Sequence, residues 1–107
     1  MKFGMNLLLW TGAMNDDMVP VVASLKEMGY DGVEIPVFED NIELYTQWGS
    51  RLREMDLECT AVTVRGEEDN PISADSAVRA LGVENNKRAL DNAAAAGAVR
   101  LVGPYHS

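Results

Sequence analysis

Residues 29–37 read GYDGVEIPV, and this stretch joins the end of a helix to a short strand. Gly29 is a typical stop at the carboxyl end of a helix, because glycine adopts the left-handed conformation there without steric cost. Pro36 marks the end of a strand over residues 32–37, since proline cannot donate a hydrogen bond to a sheet ladder. The stretch therefore predicts a helix that stops just before it and a short strand within it.

Apolar residues before and after this stretch recur at three- and four-residue spacing, which indicates amphipathic helices over residues 16–28 and 41–55. Asn15 would cap the first helix, and the two aspartates after it and Pro20 favour its first turn. Gly49 weakens the middle of the second helix by about 1 kcal/mol. The predicted buried faces contain Met18, Val21, Val22, Leu25 and Met28 in the first helix, and Ile42, Tyr45, Trp48, Leu52 and Met55 in the second.

Short apolar segments alternate with the helices, and residues 57–64 (LECTAVTV) are rich in the β-branched side chains typical of strands. Residues 65–71 read RGEEDNP and predict a polar loop. A third, longer helix is predicted between Ser73, as its N-cap, and Gly97, at its end. The predicted strands cover residues 2–10, 32–37, 57–64 and 99–102, and the centre of the third helix carries Val78, Leu81, Leu90 and residues 93–96.

The order of elements is therefore β-α-β-α-β-α-β, which predicts an α/β fold with parallel strands and right-handed crossovers. A dinucleotide-binding open sheet would carry G-x-G-x-x-G after its first strand, but residues 10–15 read WTGAMN. The pattern favours the N-terminal portion of a (β/α)8 barrel, forming one partial domain over residues 1–107. A complete barrel needs about 250 residues, whereas the chain has 107.

The composition is that of a soluble globular protein, with 47% hydrophobic and 24% charged residues. A formal net charge of -8 disfavours nucleic acid, which requires a basic surface to replace its counterions. No apolar run approaches the ~18–20 residues that cross a bilayer, and no secretory signal is recognisable. The single cysteine, Cys59, excludes an internal disulfide, and we expect a buried apolar side chain in a cytoplasmic protein.

Four stretches of the chain resemble one superfamily of enzymes. They are KFGMNLLLW (2–10), KEMGYDGVEI (26–35), LECTAVTV (57–64) and AAAGAVRLVGPYHS (94–107). In this order and spacing they resemble the N-terminal part of the xylose-isomerase-like TIM barrels, especially ketohexose 3-epimerases of the D-tagatose and D-psicose type and sugar-phosphate isomerases. GYDGVEI is the most specific of these motifs, for the superfamily rather than for one sugar.

The resemblance implies a metal-dependent isomerase or epimerase. In such enzymes two Glu, one Asp and one His from strands five to eight hold a divalent ion, commonly Mn²⁺ or Mg²⁺, and the two Glu move the proton. The ion stabilises the enediolate that forms when a C–H proton beside a carbonyl is removed. All four ligands would lie beyond Ser107, so the resemblance implies that this chain lacks a metal site and is inactive by itself.

Two other functions remain open at this point. The apurinic endonucleases share the superfamily fold, although they bind DNA and cluster several zinc ligands. The acidic balance of this chain and its single histidine argue against that function. A non-catalytic half-barrel that works only through a partner chain is the third possibility.

Barrel enzymes carry their sites at the carboxyl ends of the strands, where several residues of this chain are candidates. Trp10 closes the first strand and would be either an apolar wall for a sugar or a core aromatic. Asn6 stands where many epimerases carry an aromatic pocket residue, and this departure leaves the substrate class open. Glu34 lies between Val33 and Ile35, so its carboxylate would be either a pocket group or half of an ion pair.

Three further candidates follow the third and fourth strands. Arg65, followed by Gly66, would bind a phosphate or carboxylate group, or be an ordinary surface arginine. His106 is the only histidine, and the resemblance implies that it faces the pocket, whereas a lone histidine is otherwise a surface residue. The acidic run over residues 67–69 is expected to be solvated. The predicted substrate-binding residues are Asn6, Trp10, Glu34, Arg65, Gly66 and His106.

A partial barrel has two open sheet edges and exposes apolar surface meant for the remaining half. We therefore expect sequential parallel strands with the helices on one side, and either a homo-oligomer or a pairing with the missing half-barrel. The expected ligand is a small sugar or sugar phosphate, with no nucleic acid and no membrane among the partners.

Overall fold

A four-stranded parallel sheet is the framework of the chain, seen in a computed structural model that describes residues 3–7 and 14–103. The strands lie in the order β1-β2-β3-β4, and each pairs in parallel with its neighbour along the chain. This topology confirms the predicted α/β fold. The strands are β1 (Gly4–Asn6), β2 (Gly32–Pro36), β3 (Glu58–Val62) and β4 (Leu101–Val102), and the α-helices in the described ranges are α1 (Val19–Glu27), α2 (Ile42–Glu54) and α3 (Ser76–Ala95).

Asparagine and aspartate side chains start the helical segments. Asn15 Oδ1 accepts from the Asp17 amide at 3.0 Å, which caps a short 3-10 turn (Asp16–Met18) leading into α1. Asn41 Oδ1 caps α2 in the same way. The prediction of Ser73 as the cap of α3 was wrong, because Asp75 accepts from the Ala77 amide and starts the helix. The hydroxyl of Ser73 accepts from the Asp75 amide instead, in a local turn before the helix.

Alternate side chains of the sheet point to opposite faces, and the helices cover one of them. Val33, Ile35 and Ala61 lie on this helix face and are buried in one cluster with side chains from all three helices. Cys59 belongs to the same cluster, as predicted, and burial raises the pKa of its thiol to about 12. The helices therefore lie on one side of the sheet and leave its other face uncovered by the described helices. No helix in the described ranges is both long and apolar enough to span a membrane.

The buried face of α3 is not formed by its large apolar residues. Leu81 and Leu90 are 45% and 56% exposed, while Gly82, Ala89 and Asn92 are buried. Within the alanine run, Ala93 and Ala96 are buried and Ala94 is exposed. The physical reason is close backbone packing: α3 lies against backbone atoms of neighbouring segments, and large side chains on that face would hold them apart.

The crossing of α2 and α3 shows this close packing. A Cβ atom added at Gly49 of α2 would lie 2.9 Å from the carbonyl oxygen of Ala95 and about as close to the backbone of Ala96. The glycine that weakens α2 locally is therefore what lets the two helices touch. Two other predicted core residues, Met28 and Ile42, are exposed, because each lies at or beyond the end of its helix.

Candidate functional site

A groove of about 410 Å³ lies at the carboxyl ends of β2 and β3, the end at which barrel enzymes bind their substrates. One wall is the loop after β2, with Phe38, Glu39 and Asp40. The second wall is the loop after β3, and the middle of α3 forms the floor. The loop after β3 and α3 contribute the following charged or hydrogen-bonding side chains to the groove: Arg65, Glu68, Asp69, Asn85, Arg88 and Asn92.

Asp69 organises the loop after β3. Its carboxylate accepts hydrogen bonds from the Gly66 amide at 2.7 Å, from Arg65 Nη1 at 2.9 Å and from Asn85 Nδ2 at 3.0 Å. Asp69 is only 9% exposed, so the prediction that the whole run of residues 67–69 is solvated was wrong. The run forms a 3-10 turn (Glu67–Asp69) that turns this one carboxylate inward onto its donors.

The charge of Asp69 is stabilised by these partners. Burial by itself raises the pKa of the Asp69 carboxyl, but the hydrogen bonds from Asn85, Gly66 and Arg65 and the guanidinium charge outweigh burial. The pKa of Asp69 is therefore lower than its ordinary value. A carboxylate held in this way is an ionised anchor of the loop rather than a proton donor at neutral pH.

Arg65 already has two partners within the chain. Its Nη1 donates to Asp69, and its Nη2 donates to Thr63 Oγ1 at 2.8 Å. The side chain is 10% exposed. The guanidinium thus connects the end of β3 to the loop that follows. Arg65 also lines the groove, and its binding of a phosphate or carboxylate group stays a prediction.

The loop after β2 is held by α3. Asn92 is fully buried, and its Oδ1 accepts from the Asn41 amide at 2.9 Å. Its Nδ2 donates to Asp40 Oδ1 at 3.0 Å and to the Arg88 carbonyl oxygen at 2.7 Å. All three contacts engage the amide, so burial leaves it with no large unmet hydrogen-bonding cost. The loop at this wall of the groove is therefore anchored to the helix.

A second set of polar residues lies on the inner face of the sheet, opposite the helices. Asn6, Glu34 and Thr60 are in register on β1, β2 and β3. They line a groove of about 320 Å³ whose other residues include Gly32 and Glu58. Gly32 lets β2 lie close to the start of β3 at this groove, because a Cβ there would lie 2.9 Å from the Glu58 carbonyl oxygen. Neighbouring strands therefore place an amide, a carboxylate and a hydroxyl in one row.

The structure thus separates the predicted site residues into two places. Asn6 and Glu34 lie together on the inner face, while Arg65 and Gly66 lie in the groove at the strand ends. Trp10 and His106 lie outside the described residues.

Sequence reasoning missed several residues that complete these two places. The alternation of β3 would have indicated Thr60, because it shares a face with Glu34 once the strands are in register. No local signal marks the inward turn of Asp69, or Asn92, since each role depends on a partner from a distant part of the chain.

The described residues do not form a metal site. Within residues 3–7 and 14–103, no group of three or more His, Cys, Asp and Glu side chains is placed to hold an ion. The row of Asn6, Glu34 and Thr60 contains one carboxylate, whereas divalent ions in proteins are held by several oxygen or nitrogen ligands. The residues described therefore do not fit the divalent ion that the resemblance implies.

Solved structures of sugar epimerases and isomerases are similar to nearly all of this chain. D-allulose 3-epimerase from Methylomonas sp., in complex with D-allulose, matches over 98% of the chain with 24% identity and a TM-score of 0.80. L-ribulose 3-epimerase matches over 96% with 19% identity and a TM-score of 0.82. A protein assigned as a sugar phosphate isomerase/epimerase from Anabaena variabilis matches over 98% with 20% identity and a TM-score of 0.81.

The chain spans 37%, 35% and 38% of the lengths of these three proteins, respectively. No protein-family model matches the sequence, and no curated protein matches it. The sequential parallel sheet and these similarities confirm the predicted partial barrel. The chain has the fold of part of a (β/α)8 barrel of the type seen in sugar epimerases and isomerases.

Proposed function

We propose that this chain is the N-terminal part of a sugar or sugar-phosphate isomerase or epimerase that moves a proton at the carbon next to the carbonyl. The observation that carries the proposal is the structural match over 96–98% of the chain to proteins named for this chemistry. The sequence motif GYDGVEI supports the same assignment, since it resembles the superfamily at the level of the sequence alone.

The inner face of the sheet is the part of this chain that we assign to sugar binding. Sugar hydroxyls both donate and accept hydrogen bonds. The row of Asn6, Glu34 and Thr60 offers an amide, a carboxylate and a hydroxyl, which together supply both kinds of partner. Glu34 is partly buried beside open space, so its carboxylate can reach a ligand in the groove. The role of this chain is thus to bind and orient the sugar.

The groups that move the proton belong, under this proposal, to the part of the protein outside this chain. A divalent ion, Mn²⁺ or Mg²⁺, would be held by residues of that part and would supply Lewis-acid chemistry there. We therefore expect the 107-residue chain to be inactive by itself. The cytoplasm remains the proposed compartment, on the basis of the single buried thiol of Cys59.

The proposal includes a partner for the open sheet. β1 and β4 have one strand neighbour each among the described residues, so both are edges of the sheet. Exposed Phe3 and Val102 lie at these two edges. A homo-oligomer or the missing half-barrel would cover them, as predicted from the sequence.

Sugar binding can be tested with the chain as it exists. Titration with D-fructose or D-allulose, followed by NMR amide shifts, is expected to perturb β1, β2 and β3 around Asn6, Glu34 and Thr60. Glu34→Gln is expected to weaken binding about tenfold, because it removes a charged acceptor. Glu43→Gln, a matched change at an exposed residue of α2, is expected to leave sugar binding unchanged.

Two results would contradict the proposal. Equal sugar binding by the Glu34 and Glu43 variants would remove the inner face from the site. Epimerisation of D-fructose by the 107-residue chain with added Mn²⁺ would show that the proton-transfer groups lie within it. An oligomer-size measurement by light scattering tests the partner separately, and a stable monomer of 11.7 kDa would count against it.

A further inference from the structure

Two asparagines of α3 each contact a different loop at the carboxyl end of the sheet. Asn85 and Asn92 are seven residues apart, which places them on the same face of the helix and about 10 Å apart along its axis. Asn85 contacts the loop after β3, and Asn92 contacts the loop after β2. Ala89 lies between them and is buried, so no large side chain separates the loops from the helix.

We propose that Asn85 and Asn92 are positioning residues that independently set the places of these two loops, and so the width of the groove between them. This proposal rests on the proposed function in one respect: the carboxyl end of the sheet is taken as the side where the substrate enters. The contacts themselves need no ligand. Neither asparagine needs to touch the sugar, since each would act through loop atoms.

Asn92 holds the loop after β2 by two bonds of opposite polarity. Its Oδ1 accepts from the backbone amide of Asn41, and its Nδ2 donates to the carboxylate of Asp40. Asn41 is also the N-cap of α2, through its own side chain and the Leu44 amide. Asn92 thus fixes the residue at which the loop ends and α2 begins.

Asn85 holds the loop after β3 through Asp69. Its Nδ2 donates to Asp69 Oδ2, while Asp69 Oδ1 accepts from the Gly66 amide. The loop backbone lies directly on α3 one turn earlier, where a Cβ on Gly82 would be 2.6 Å from Pro71 N. The carboxylate that organises the loop is therefore bound to the helix as well as to its own turn.

Amide hydrogen exchange measured by NMR on the full chain tests whether the two contacts act separately. In Asn92→Ala, exchange at the Asn41 amide is expected to accelerate about tenfold, with Gly66 unchanged, because only the β2 loop loses its partner. In Asn85→Ala, exchange at Gly66 is expected to accelerate, with Asn41 unchanged. Asn86→Ala is the matched control, since Asn86 Oδ1 has no hydrogen-bond partner in the described structure.

A charge exchange distinguishes positioning from general stability. Asn92→Asp alone places two carboxylates together and is expected to accelerate exchange at Asn41. Adding Asp40→Asn restores a donor facing an acceptor, so the double variant is expected to regain at least half of the lost protection. Equal acceleration at both loops in each alanine variant, or no rescue in the double variant, would overturn the proposal. Because no sugar enters the measurement, these outcomes stand apart from those of the sugar titration.

Discussion

α2 and α3 pack in the same core, but their buried faces are built from opposite kinds of side chain. α2 buries Tyr45, Trp48 and Leu52, which are large and follow the helical spacing predicted from the sequence. α3 buries small side chains and one amide, and leaves Leu81 and Leu90 about half exposed. The spacing of hydrophobic residues therefore identifies a helix face that fills the core with large side chains. It does not identify a helix face that packs directly against the backbone of a neighbouring segment.

The polar atoms of the large α2 side chains have partners, which makes their burial favourable. Tyr45 Oη donates to the Pro36 carbonyl oxygen at 3.3 Å, and Trp48 Nε1 donates to the Met14 carbonyl oxygen at 3.2 Å. The Arg51 guanidinium lies over the Trp48 ring, 5.1 Å from its centre. The buried face of α2 is thus hydrogen-bonded to the end of β2 and to the segment before α1.

The strongest test of the comparison is a pair of identical changes on the two helices. Leu52→Ala on α2 is expected to lower the free energy of unfolding by about 2–5 kcal/mol, since Leu52 is 1% exposed and a cavity would remain. Leu90→Ala on α3 is expected to lower it by no more than about 1 kcal/mol, because more than half of this residue is already exposed. Urea denaturation of both variants measures the difference, and equal losses would contradict the assigned faces.

A second test concerns Asp69, the loop carboxylate that is bound to Asn85 of α3. The folded-state pKa of Asp69 is lowered, so its contribution to stability is full above the unfolded pKa of ~3.9 and is lost as pH falls through the folded value. Asp69→Asn is expected to cost about 2 kcal/mol near pH 7, with the difference from the unaltered chain shrinking below about pH 4.

Urea denaturation at several pH values checks this dependence. Glu67→Gln, a change to an exposed acid two residues earlier, serves as the control and is expected to have little effect at any pH. A cost for Asp69→Asn that stays constant from pH 7 to pH 3 would show that ionisation of Asp69 does not stabilise the fold.

The smallest expected effect tests the close backbone packing of α3. Glycine to alanine inside a helix normally stabilises by about 0.5–1 kcal/mol. Gly82→Ala is expected to destabilise by about 1–2 kcal/mol instead, because the new Cβ meets the backbone at Asp69 and Pro71. Thermal unfolding with Ser76→Ala as a helical control measures the sign. A stabilised Gly82→Ala variant would show that the loop does not need to touch the helix.

The candidate site divides in the same way between what could and could not be predicted. Arg65 and Gly66 were predicted at the end of the third strand, and they lie in the groove there. The partners of Arg65 could not be predicted, because one of them, Asp69, is placed by a turn and by Asn85 sixteen residues away. Candidate residues follow from strand order, whereas their hydrogen bonds follow from packing.

The sequence by itself determined the order of strands and helices and where most of them stop. These are local properties: Gly29 and Gly97 end their helices with φ of +97° and +75°, which side chains disfavour, and apolar spacing marks the core face of α2. Only the tertiary structure decided which face of α3 is buried, that Asp69 turns inward, and that Asn6, Glu34 and Thr60 share a row. Those outcomes depend on strand register and on which backbones touch, and both bring together residues far apart in the chain.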